Sequence, residues 1–170
     1  IWNFLLFNSF RPALVENSFN GLVSNPPWLT LSRIAENPYK NFLQNLASDL
    51  NIRPSGSSFL HIELATIFLL CSIDRYLTQN AEIGCILPGT VLAGDHHHPF
   101  RNKEYDDVNI KFKVSKIWDL DKAIFNNRGI TIFGSKAEGE NAIPIPYYFQ
   151  SQNQEVRVSQ LYYSILDSKS

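Results

Sequence analysis

Asn25 is followed by Pro26, Pro27 and Trp28, and these four residues offer chemistry as a unit. The Asn25 side-chain oxygen is a hydrogen-bond acceptor, and the Pro26 carbonyl is a second. Each proline ring fixes φ at about −65°, so that carbonyl is oriented before any substrate arrives. Two acceptors aimed at the N–H groups of a planar, conjugated amine draw its nitrogen toward tetrahedral geometry. The lone pair then points outward and the amine becomes nucleophilic. Such groups act through preorganised electrostatics and near-attack geometry, with no need for a metal or a strong general base. Trp28 adds a flat face on which a ring can stack. A rigid turn carrying a core tryptophan is the plainer reading, but it leaves the asparagine before the two prolines without a purpose.

Positioning such a tetrapeptide requires a strand that ends abruptly. Asn20 to Ser24 is short and apolar and stops at the prolines, as a buried strand entering a loop does. Residues 30–51 read as helix in two pieces, interrupted at Pro38. Arg53 to Ser58 reads as a loop, with serines suited to cap a helix. Phe59 to Thr78 is the strongest helix pattern, apolar on nearly every face until Asp74 and Arg75. Glu82 to Leu87 reads as a strand closed by Pro88-Gly89, and residues 93–107 as a polar loop. Ile110 to Trp118 alternates like a half-exposed strand, and Gly129 to Phe133 is a β-branched strand. Residues 137–142 form a loop. Pro144 and Pro146 demote their stretch to edge strand or coil, and Val156 to Val158 is one further short strand. A helix is weakly preferred for residues 1–16. An apolar strand, a buried helix and a second apolar strand form a βαβ unit, hence a parallel sheet with covered faces. Ligands of such sheets bind beyond the carboxyl ends of the strands. Asn25 to Trp28, Pro88-Gly89 and the histidines after them all belong there.

The remaining candidates are weaker. His96-His97-His98 invites a metal reading, but adjacent residues rarely point at one ion and no cysteine partners accompany them, so no metal is expected. That segment reads as a polar loop near the substrate mouth. Glu63 and Asp74 read as surface or interface charges. Cys71 and Cys85 lie in apolar runs and read as buried free thiols. The 170 residues suit one domain, and 44% hydrophobic residues can build a core. The formal net charge of −1 does not speak for nucleic acid, whose binding surfaces usually carry a basic patch. No membrane span is expected, since the best apolar stretch, Phe59 to Leu77, contains His61, Glu63, Asp74 and Arg75. The sequence has no Met, which fits an internal piece of a longer protein or a chain whose modified methionines have dropped out of the sequence.

Phe19 to Trp28 resembles the catalytic motif of the amino-group DNA methyltransferases of the N6-adenine kind. Glu82 to Pro88 is similar to that family's next strand. Phe125, then Gly129 to Lys136, is similar to its later motif of an aromatic before a strand. The resemblance spans about residues 19–136 and implies an α/β fold. That fold is the carboxyl-terminal half of a Rossmann-like class I methyltransferase sheet, mostly parallel with an antiparallel strand near the end. Residues 1–150 would belong to the partial catalytic domain, and 151–170 to an extension or a following region. The resemblance implies S-adenosylmethionine as methyl donor and DNA as partner. It makes Asn25, Pro26, Pro27 and Trp28 catalytic, with Trp28 and Phe125 against the adenine and Asn25 also beside the cofactor. The rest of the domain and a target-recognition region would be further partners. The setting would be restriction–modification or phage defence in the cytoplasm of a bacterial or archaeal cell. The sequence departs from the pattern in lacking a Gly-x-Gly cofactor loop before residue 19 and in carrying Trp28 where tyrosine is commoner. The isolated chain is therefore expected to be inactive. Two alternatives stay open: the same reaction on RNA or a protein glutamine, and a catalytically silent module that binds DNA or a partner.

Overall fold

The computed structural model describes residues 14–120, 127–141, 143–150 and 156–161. Phe125, and most of the helix expected over residues 1–16, lie outside them. Six strands form one sheet: β1 (Phe19–Ser24), β2 (Leu77–Pro88), β3 (Lys113–Leu120), β4 (Gly129–Ser135), β5 (Ile145–Gln150) and β6 (Val156–Leu161). Their order across the sheet is β1-β2-β4-β3-β5-β6. β1 and β2 pair in parallel, as do β3 and β5, while β4 is antiparallel to β2 and β3 and β6 is antiparallel to β5. Four strands therefore run one way, and two are reversed: β4, inserted between β2 and β3, and β6 at the edge. The shared direction of four strands fits the expected mostly parallel sheet, but the antiparallel strand β4 lies inside the sheet rather than near its end, and β6 is a second reversed strand at the edge.

Two helices, α1 (Pro38–Asp49) and α2 (Leu64–Tyr76), fill the crossover from β1 to β2, and α3 (His98–Arg101) lies in the segment after β2. The core joins the inner face of α2 (Ile67, Leu70, Ile73) to sheet residues such as Ile83, Cys85, Ile117 and Ile132. Cys85 is buried and Cys71 half-buried, and both are free. Burial pushes the Cys85 thiol up to about 12, which keeps it protonated and inert. Among the described residues no helix is long and apolar enough to cross a membrane.

Besides β1, four elements differ from their sequence pattern, each for a physical reason. Pro38 starts a helix rather than interrupting one: it opens α1, and the Asn37 side chain accepts from the Lys40 N–H at 2.9 Å. The apolar run from Phe59 does not become one helix. Residues 56–61 form a 3₁₀ turn, and α2 begins only at Leu64, because the backbone of Ile62 to Leu64 pairs elsewhere. Leu31 N–H donates to the Ile62 carbonyl at 3.0 Å and Leu64 N–H to the Leu29 carbonyl at 2.9 Å. Residues 93–107 are a packed substructure of short helices rather than a polar loop, burying His97, Phe100 and Tyr105. The stretch after Pro144 is neither edge strand nor coil, since β5 lies between β3 and β6. Its pairing with β3 begins at Tyr147, just past Pro146, so the missing N–H interrupts no ladder bond to β3.

β1 departs most from expectation. It is an edge strand rather than a buried one, with Phe19 46% and Val23 96% exposed. Only β2 pairs with it, and its other edge is uncovered among the described residues.

Candidate functional site

The carboxyl ends of β1, β2 and β3 lie at the same edge of the sheet, because the three strands run in one direction. Ser24 pairs with Cys85, so Asn25 to Trp28 leaves β1 beside the last residues of β2. Asn25, Pro26, Pro27 and Trp28 line one open cleft of about 280 Å³. Asn25 and Pro27 are exposed, Pro26 is buried, and Trp28 is half-buried with part of its surface against the core. The residues after the motif are tied down by the two backbone hydrogen bonds to Ile62 and Leu64, which bridge Thr30 to Glu63. A rigid diproline thus has an anchored strand on one side and an anchored loop on the other.

Phe125, the other expected stacking residue, lies outside the described residues. The described residues on either side of it are held by a polar network that sequence reasoning missed. The Asp119 carboxylate, 1% exposed, accepts from Arg128 Nε at 3.1 Å, from Arg128 Nη2 and from the Tyr147 hydroxyl. Gly89 N–H in turn donates to the Arg128 carbonyl at 2.8 Å, tying the end of β2 to the start of β4. Hydrogen bonding to Asp119 raises the Arg128 pKa, so its charge is permanent. Burial, then the Asp119 carboxylate, pushes the Tyr147 phenol up to about 12, so it remains a donor. Replacing Arg128 by Gln leaves a buried carboxylate short of charged donors. The expected cost is about 2 kcal/mol, read from urea unfolding midpoints, with Tyr147→Phe costing less.

Glu63 is not a surface charge. Its residue is 8% exposed, and one carboxylate oxygen accepts from the Thr90 hydroxyl at 2.8 Å and lies 3.0 Å from His97 Nε2. Asp74 is exposed, as expected. The 3₁₀ turn Asp95–His97 brings the His96 and His97 rings to 4.3 Å between centroids, so these adjacent histidines do converge. Among the described residues, Glu63, His96 and His97 form a group able to hold a metal, with donor atoms within 4.8 Å of one another. Burial, then the neighbouring His97, lowers the His96 pKa. The third histidine points elsewhere, with His98 Nε2 2.8 Å from the Asn102 amide. A second cleft, about 420 Å³, is lined by Arg53, Ser55, Asp95, His98 and Glu104 among others. It carries both charge signs and none of the residues from 25 to 28. The motif cleft is smaller but holds the groups with defined chemistry.

No family model and no curated protein matches the sequence. Solved structures share the fold. A protein assigned as a putative class I S-adenosylmethionine-dependent methyltransferase from Listeria monocytogenes aligns over 80% of this chain and 38% of its own, at 13% identity and TM-score 0.54. The type IIG restriction endonuclease BpuSI aligns over 88% of this chain and 20% of its own, at 17% identity and TM-score 0.56. A DrdV–DNA complex aligns over 76% of this chain and 14% of the matched chain, at 11% identity and TM-score 0.51. At these identities the likeness shows the fold alone, a Rossmann-like α/β sheet. The chain spans less than two-fifths of each of these proteins.

Proposed function

We propose that this chain is the carboxyl-terminal half of the catalytic domain of an S-adenosylmethionine-dependent methyltransferase that methylates the N6 amine of adenine in DNA. The observation that carries the reading is the cleft at the end of β1, lined by Asn25, Pro26, Pro27 and Trp28. The fold is that of a class I methyltransferase, and one protein sharing it is a restriction endonuclease while another is bound to DNA. On this reading the enzyme works in restriction–modification or phage defence, in the cytoplasm of a bacterial or archaeal cell.

The adenine amine donates both N–H groups, one to the Asn25 oxygen and one to the Pro26 carbonyl. Its lone pair then faces the sulfonium methyl group, which the cofactor supplies. The methylated amine loses its extra proton afterwards. A base must leave the duplex to reach the cleft, at a cost of about a few kcal/mol. Stacking returns roughly 1–3 kcal/mol per aromatic contact, from Trp28 and from Phe125. The exposed edge of β1 is where the preceding half of the sheet would add, bringing the cofactor pocket that these residues lack. A target-recognition region elsewhere in the protein would supply the phosphate contacts that a chain of net charge −1 does not offer.

The test is methyl transfer by the full-length protein from S-adenosylmethionine to genomic DNA, followed by nucleoside analysis. N6-methyladenine is expected. Methylated RNA or protein glutamine with unmodified DNA would reject the acceptor, and cofactor binding with no methylated product would reject the reaction.

A further inference from the structure

We propose that Glu63, His96 and His97 form a structural site for a divalent transition metal of the zinc type, which clamps the segment after β2 to the start of α2. The side chains come from two separate parts of the chain, Glu63 before α2 and the neighbouring His96 and His97 after β2, yet their donor atoms already lie within 4.8 Å of one another. Two imidazole nitrogens and one carboxylate oxygen are a donor set that zinc accepts, at about 2.0–2.2 Å from the ion. Tetrahedral donors at those distances stand about 3.3 Å apart. Glu63 Oε2 and His97 Nε2, at 3.0 Å, are close to that spacing.

A histidine–carboxylate hydrogen bond alone accounts for Glu63 and His97, but not for His96. The His96 Nε2 is buried and has no hydrogen-bond partner among the described residues. A buried nitrogen without a partner is costly in a finished polar network. The ring packs closely over Gly94, where an added Cβ would stand 2.8 Å from His96 Cε1. The other groups around the site fit the same purpose. The Thr90 hydroxyl donates to Glu63 Oε2 and orients the carboxylate, as partners of metal ligands do. His61, exposed, stands with its ring centroid 6.3 Å from that of His96 and leaves the fourth position to it or to water.

The clamp has a definite place in the fold. Glu63 pairs through its backbone with Thr30, two residues past Trp28. His96 and His97 belong to the segment that continues β2 beyond Pro88. An ion shared by these residues fixes the loop after β1 relative to the loop after β2, the two sides of the edge where the cleft opens. The site is independent of the proposed reaction, since binding and stability alone define it.

The experiment uses the full-length protein expressed without a histidine tag and stripped with chelator. Zn²⁺ is titrated by calorimetry, and Co²⁺ is added as a spectroscopic probe. One equivalent of Zn²⁺ should bind and raise the melting temperature, and Co²⁺ should give the visible absorption of a four-coordinate N/O site. Glu63→Gln and His96→Gln should each weaken Zn²⁺ binding at least 50-fold. Glu63→Gln retains hydrogen-bonding capacity toward Thr90 and His97, so its metal-free protein should still fold. His98→Gln should bind as the parent does. No binding at 100-fold excess over protein, undiminished binding in Glu63→Gln and His96→Gln, or loss of binding in His98→Gln would each overturn the proposal.

Discussion

Asn25→Ala in the full-length protein should lower the turnover of methyl transfer by about 10²–10³-fold, the loss typical when one preorganised donor or acceptor is removed from a reacting group. The fold should be unaffected. Asn25 is exposed, and its backbone follows β1 regardless of the side chain. Unfolding midpoints should therefore match the parent. S-adenosylmethionine affinity should change far less than turnover, because the larger part of the cofactor pocket is proposed to lie outside these residues. Single-turnover kinetics separates the two quantities. Asn25→Asp should retain far more turnover than the alanine variant. A carboxylate still accepts the amine's hydrogen bond and favours the positive charge that the nitrogen gains during transfer. Near-parental turnover in Asn25→Ala would leave the cleft without its proposed chemistry.

Gly134→Ala carries the largest expected effect on stability. Gly134 lies in β4, paired with Ile83 on one side and Val114 on the other. The ladder to β3 shifts register between Val114 and Lys116, next to Gly134. A Cβ at position 134 would collide with the Lys113 carbonyl oxygen and stand 2.8 Å from the edge of the Phe112 ring. Neither can yield easily: one is backbone, and Phe112 is fully buried. Overpacking of this kind costs about 1–3 kcal/mol, and the backbone obstacle puts Gly134→Ala at the upper end. Gly84→Ala is the control, because its Cβ would meet only ordinary contacts with the Phe133 ring at 3.7 Å. Equal midpoints for the two variants in urea unfolding would show that β3 and β4 are not packed this closely.

These two positions show how much is legible in the chain alone. Asn25 is readable because a strand that stops at two prolines is a local event, decided by φ and by a missing N–H. The strands at 82–87 and 129–133 are readable for a similar reason, since β-branched runs bounded by Pro and Gly need no distant partner to be recognised. The start of α2 is not. The run from Phe59 is helical by pattern, yet Ile62 to Leu64 give their backbone groups to Leu29 and Leu31, about 30 residues earlier. The histidine segment escapes a local reading for the same reason. Its composition is polar, but Val91, His97, Phe100 and Tyr105 turn inward, and Glu63 buries its carboxylate against Thr90 and His97. The Asp119–Arg128–Tyr147 network joins three strands and leaves no local mark. Exposure of β1 is invisible to any pattern, since an apolar edge strand and an apolar central strand have the same sequence.

The central claim is that the cleft at the end of β1 activates the adenine amine. The most direct measurement is mass spectrometry of nucleosides released from DNA after incubation with the full-length protein and S-adenosylmethionine bearing a deuterated methyl group. N6-methyladenine carrying the deuterium label is the predicted product, lost in the Asn25→Ala enzyme. Label found on cytosine, or label on adenine that persists undiminished in Asn25→Ala, would contradict the claim.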